Sequence, residues 1–178
     1  MEFKSIAVFC GSKSGTTPLY SKHATELGYL LAEKNILLIY GGGGKGIMGA
    51  VANGVLEKKG QAIGIIPEAL MGWEHHHEGI SELIVVENMH IRKRMMYEKC
   101  DAAIILPGGY GTLDELFEIL TWNQLSIHNK PVYILNTAGF YDSLLAHIKK
   151  MIAENFLYTS MEDAFTIVTN PSEIFNHS

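Results

Sequence analysis

A chain of 178 residues suits one domain and leaves little room for a second. Its composition, 47% hydrophobic and 19% charged, is that of an ordinary globular protein, and a formal charge of −5 argues against a broad nucleic-acid-binding surface. Cys10 and Cys100 suggest no disulfide framework, no apolar run reaches the ~18 residues of a membrane span, and the opening stretch is too short for a signal peptide, so a soluble protein of a reducing, cytoplasmic compartment is expected.

Short β-rich runs alternate with helical spacing along the chain. A strand over 5–10 precedes a helix over 17–34, with Thr17 as N-cap and Pro18 as first helical position. A strand over 36–40 runs into a glycine loop and a helix over 46–59. Strands at 61–66 and 83–87 follow, then a helix over 89–100 capped by Asn88. A strand at 102–106 leads through a second glycine loop into a helix over 112–125. A strand at 131–135, a helix over 141–154 and a strand at 164–168 complete the order. Most strand runs are continuously apolar, as in strands covered on both faces. The expected fold is α/β and Rossmann-like: a single domain with a mostly parallel central sheet and helices on both faces, binding ligands beyond the carboxyl ends of its strands.

The unusual residues fall just after strands. The first loop, Gly41 to Gly49, holds six glycines in nine positions and opens a helix whose free N–H groups suit a phosphate. Gly41, Gly43 and Gly46 also match Gly-x-Gly-x-x-Gly, with Glu68 about 20 residues on, which admits a dinucleotide reading. The second loop, Pro107-Gly108-Gly109-Tyr110-Gly111-Thr112-Leu113-Asp114-Glu115, again delivers glycines onto a helix start. Thr112 and Glu115 have the spacing of a capping box, a purely structural alternative for that carboxylate. Adjacent Asp114 and Glu115 would repel a docked phosphate unless they serve another part of the ligand. Arg92, Lys93 and Arg94 stand in the first two turns of their helix, the unfavourable end of its dipole; Arg94 suits a solvated face, whereas Arg92 and Lys93 fit an anion supplied by a ligand.

These motifs, with Cys10-Gly11-Ser12, Met89-His90-Ile91-Arg92-Lys93 and Thr121-Trp122-Asn123-Gln124-Leu125, resemble the Lonely Guy family of cytokinin riboside 5′-monophosphate phosphoribohydrolases over nearly the whole chain. The resemblance implies hydrolysis of the N-glycosidic bond of AMP or a cytokinin riboside 5′-monophosphate. It implies Arg92 and Glu115 as the essential pair, nucleotide contacts from Lys93, Gly109, Tyr110, Gly111, Thr112, Leu113 and Asp114, and further ones from Glu74 and Thr121. Gly108 and, from the first loop, Gly42, Gly43, Gly46 and Met48 complete the candidate substrate-binding set. It also implies a homodimer with sites near the subunit interface, and no metal or redox cofactor. Asp114 stands where glutamate is common, Ile47 replaces leucine, and the stretch around Glu74 departs more from the pattern.

Members of this family often carry the label lysine decarboxylase, but no lysine here reads as a pyridoxal anchor with supporting partners. Consecutive His75, His76 and His77 on one loop point different ways and lack a second ligand cluster, so a solvated loop is expected rather than a metal site. Met48, Met89, Met95 and Met96 read as core filling, with a methionine beside an apolar base as the alternative, and both cysteines read as small hydrophobes. Two other functions compete: a nicotinamide-dependent oxidoreductase built on Gly41, Gly43 and Gly46, and a non-catalytic carrier of a nucleotide or phosphorylated cofactor.

Overall fold

The computed structural model describes residues 3–71 and 76–176, so Glu74 and His75 lie outside the described residues. The elements run β1 (Ser5–Phe9), α1 (Pro18–Glu33), β2 (Leu37–Tyr40), α2 (Gly46–Glu57), β3 (Ala62–Pro67), β4 (Glu82–Val86), α3 (Met89–Lys99), β5 (Ala102–Ile105), α4 (Tyr110–Gln124), β6 (Val132–Leu135), α5 (Asp142–Ala153), α6 (Met161–Ala164) and β7 (Thr166–Val168). The strands form one sheet in the order β4-β3-β2-β1-β5-β6-β7. All pairings are parallel, with Ala7 opposite Ala103 and Phe9 opposite Ile105 where β1 meets β5.

Alternation along each strand sorts the core into two layers. Ile6, Val8 and Cys10 of the β1 run pack with Ala24, Leu27 and Leu31 of α1 and Val51 and Val55 of α2. Ala7 and Phe9 pack on the other face with Met96 and Tyr97 of α3, Leu116 and Ile119 of α4, and Leu145 and Ile148 of α5. Both faces are therefore covered, which is why the strand sequences are apolar throughout.

Local chemistry sets the helix starts. Thr17 Oγ1 accepts from the Leu19 amide at 3.4 Å, and Asn88 Oδ1 accepts from the amides of His90 and Ile91, each at 3.0 Å. Two expectations shift. The helix expected from Thr112 begins at Tyr110, because Tyr110 and Gly111 already take helical geometry behind Gly109. Near the C-terminus, Ser160 Oγ accepts from the Asp163 amide at 3.2 Å and caps α6, which shortens the expected 164–168 strand to Thr166–Val168.

The chain moves one way through β1, β2, β3 and β4, then returns to lay β5 on the opposite side of β1. The loops leaving β1 and β5 thus separate at a topological switch point, where a crevice forms.

Candidate active site

That crevice holds a cavity of about 250 Å³. Its floor is the end of β1, Val8 to Cys10; its walls include Gly11, Ser12, Gly41, Met48, Arg92, the run Gly109 to Thr112, and Glu115.

The start of α4 forms one wall. Gly109 is the N-cap and no side chain caps the helix; the amide of Leu113 is the first to return to the Gly109 carbonyl, at 3.1 Å. The preceding first-turn amides have no partner within the helix, and the residues that carry them line the cavity. A Cβ on Gly109 or Gly111 would meet nothing within 4 Å, so an anion can approach this backbone closely. The capping-box alternative therefore fails. Thr112 is the third helical residue rather than the cap, and Glu115 lies one turn further in.

Glu115 is only 7% exposed and lines the cavity. Burial pushes its pKa up to about 7, and Arg92 pulls against that rise. Arg92, equally buried on α3, is steered by its Nε–H, which donates to the Ile65 carbonyl at 2.9 Å. Its guanidinium occupies the space where a Cβ of residue 41 would project, so a side chain there would push Arg92 from this position. Burial also raises the Cys10 thiol far above its usual range and holds it neutral, which fits a small hydrophobe rather than a nucleophile.

The first glycine loop serves the fold. Only Gly41 and Met48 of it reach the cavity. The Met48 amide, at the start of α2, donates to the Gly11 carbonyl at 3.2 Å, and Gly46, with φ +61°, lies against the backbone of Ser12 and Lys13. Gly42 packs near Leu83 and Gly64, and Gly43 bridges to His76. Gly42, Gly43 and Gly46 thus stand outside the cavity wall, and this helix start is occupied by the chain itself.

Other candidates also lie elsewhere. Lys93 Nζ pairs with Asp114 at 3.0 Å and Glu118 at 3.2 Å, so Lys93 and Asp114 satisfy each other beside the cavity rather than in it. Leu113 packs against the core layer that holds Leu116 and Ile119, and Gly108 lines a neighbouring cleft with Tyr20 and Phe140. Thr121 donates to the Phe117 carbonyl at 2.6 Å and borders an apolar cleft between α4, α5 and α6. Tyr110 stands at the rim, 94% exposed. His77 Nε2 meets Asn53 Oδ1 at 2.8 Å at the exposed surface. Gly11 and Ser12, which carried only family likeness in the sequence, are cavity walls; the rule that ligands sit at strand carboxyl ends beside a switch point could have found them.

Fold and cavity together define a Rossmann-like α/β protein with a glycine-built pocket at the switch point. Residues 48–177 match the family described as possible lysine decarboxylase. The chain is 45% identical over 97% of its length to the cytokinin riboside 5′-monophosphate phosphoribohydrolase LOG2 of Arabidopsis thaliana, covering 81% of that protein. It is 47% identical to LOG1 of the same plant, over 96% of this chain and 79% of that one. Among solved structures, a molybdenum cofactor binding protein from Rippkaea orientalis superposes with a TM-score of 0.74 at 25% identity, covering 99% of this chain and 96% of that one. The chain belongs to the Lonely Guy family of cytokinin riboside 5′-monophosphate phosphoribohydrolases. Lys93, the buried lysine beside the cavity, does not fit the decarboxylase description. A Schiff-base lysine needs a free amine with a lowered pKa, whereas Lys93 is held by two carboxylates whose hydrogen bonds outweigh burial and raise its pKa.

Proposed function

We propose that the protein hydrolyses the N-glycosidic bond of a nucleoside 5′-monophosphate, AMP or a cytokinin riboside 5′-monophosphate, releasing the free base and ribose 5-phosphate. The observation that carries this reading is a buried carboxylate, Glu115, one turn inside an uncapped helix start and in one cavity with Arg92. The open amides of α4 and the dipole behind them take the 5′-phosphate. Ribose then lies against Glu115.

As the C1′–N bond breaks, its electron pair leaves with the base and positive charge grows on the sugar. The Glu115 carboxylate stabilises that charge and orients a water, whose oxygen bonds to C1′. With a pKa near 7, Glu115 can accept the proton that the water gives up and then release it, and the departing base nitrogen takes up that one proton, so the step balances and Glu115 returns to its starting state. Arg92 neutralises the phosphate or supports departure of the base. The reading includes a homodimer, supported by the partly exposed apolar side chains of Met89, Ile91, Phe117, Leu125 and Ile127, and a cytoplasmic setting, in keeping with two free cysteines.

Incubation with a panel of nucleoside monophosphates, followed by chromatography, tests the assignment. Free base and ribose 5-phosphate are expected, and both disappear with Glu115→Ala or Arg92→Ala. A carrier function is the second reading, favoured by the likeness to the molybdenum cofactor binding protein. It requires an intact ligand after incubation and no free base.

A further inference from the structure

A second cavity, of about 390 Å³, adjoins the first. The two share Gly11, Ser12 and Gly109, so both open onto the start of α4. From there they run in opposite directions across the sheet. The first passes over β1 toward Gly41, which follows β2; the second reaches toward Phe140, which follows β6. The start of α4 thus stands between two spaces, and the proposed monophosphate uses only one of them.

The walls of the second space have a chemistry of their own. The loop that leaves β1 is fastened at both ends: the Gly11 amide donates to the Pro107 carbonyl at 3.1 Å, and Gly15, at φ +75°, lies against the Tyr20 ring. Between these points stands Lys13, which alone is charged among the described residues of the lining. Among the described residues, no carboxylate pairs with its ammonium, and no group accepts from the amides of Ser12, Lys13 or Gly108. Beyond them the Tyr20 and Phe140 rings meet edge to face at 5.8 Å and, with Ile47, make an apolar wall. A cation and unused donors beside the phosphate position suit a further anion joined to that phosphate. We propose that the second cavity is a subsite for a second phosphate, so that the protein binds nucleoside 5′-diphosphates with the outer phosphate between Lys13 and the start of α4.

The proposal rests on the reading that the α4 amides take the 5′-phosphate, and it says what lies on the far side of that phosphate. In a chain of net charge −5, an outer phosphate left in solvent adds repulsion and gains no contact, so a diphosphate would bind more weakly than a monophosphate. Seated against Lys13, it gains a charge-assisted hydrogen bond, and the order reverses.

ADP is the probe. It should inhibit AMP hydrolysis competitively, with an inhibition constant no higher than the KM for AMP. Lys13→Gln and Lys13→Glu change an exposed side chain, so both proteins should fold. At an ionic strength of about 0.15 M, Lys13→Gln should raise the ADP constant about tenfold more than it raises KM for AMP, and Lys13→Glu should raise it further. An ADP constant more than tenfold above that KM in wild type, or Lys13 variants that shift ADP and AMP equally, would overturn the proposal. Calorimetric titration of ADP into the same three proteins reads the subsite without turnover. Lys13-dependent binding of ADP without any hydrolysis of AMP would remove the assigned reaction and keep the subsite; AMP hydrolysis that ADP leaves uninhibited would do the reverse.

Discussion

Glu115 is held at the expense of stability. Its pKa lies near 7 in the folded protein against an ordinary value of 4.5, so between those pH values the folded state binds more protons than the unfolded state. Stability therefore falls as pH rises through this window and levels off above it. A shift of this size corresponds to roughly 3 kcal/mol. Glu115→Gln should accordingly melt higher than wild type at pH 8, gain little at pH 4, and lose ~10²–10⁴ in turnover. Thermal denaturation at the two pH values, set beside base release, measures both effects; equal melting at pH 8 would show that burial does not strain this carboxylate. The same ionisation should appear in kcat/KM for base release, which rises to an inflection near pH 7 in wild type. Arg92→Lys tests the partner. Lysine keeps the charge but loses the guanidinium fork that bonds Ile65 while facing the cavity, so turnover should fall at least tenfold with the fold intact.

The two glycine loops look alike in sequence and do different work. At the start of α4 the glycines clear a surface. At the start of α2 they let loops of the chain close on one another. The difference is mechanical and can be tested. Gly109→Ala places a methyl in open space at the cavity wall, so melting should change by no more than a degree or two while KM for the nucleotide rises severalfold. Gly46→Ala places a side chain at φ +61° against the backbone of Ser12 and Lys13, which should cost about 1–3 kcal/mol in urea unfolding. If Gly109→Ala unfolded the protein and Gly46→Ala selectively impaired binding, the two loops would have been assigned the wrong way round.

For the whole molecule, the crevice lies at the one place where the strand order reverses, between β1 and β5. A cavity of about 250 Å³ falls below the ~300–1,000 Å³ of a typical small-molecule site, which fits a pocket completed by a second copy of the chain. Sedimentation equilibrium should find twice the 19.7 kDa chain mass at micromolar concentration; a single-chain mass would remove the dimer from the proposed function.

Periodicity and apolar runs were enough to expect every strand and the five longer helices, because secondary structure and the two-faced burial of a parallel sheet are written locally. The glycine runs and Arg92 stand out in the sequence for a similar reason, since each breaks a local rule of composition or helix electrostatics; Glu115 obeys the local rule of a capping box on spacing and is singled out only by family likeness. What the sequence left open was which amides are free. Gly41 to Gly49 and Pro107 to Glu115 offer the same donors on paper, but the Gly11 carbonyl, more than thirty positions away, takes the Met48 amide, and nothing caps α4. Family likeness groups Lys93 and Thr121 with the nucleotide, and only the tertiary structure shows what they meet within the chain: Asp114 and Glu118 for Lys93, and an apolar cleft for Thr121. Local sequence determines which groups exist and on which element they stand. Contacts between residues far apart in the chain decide which of those groups remain available to a ligand.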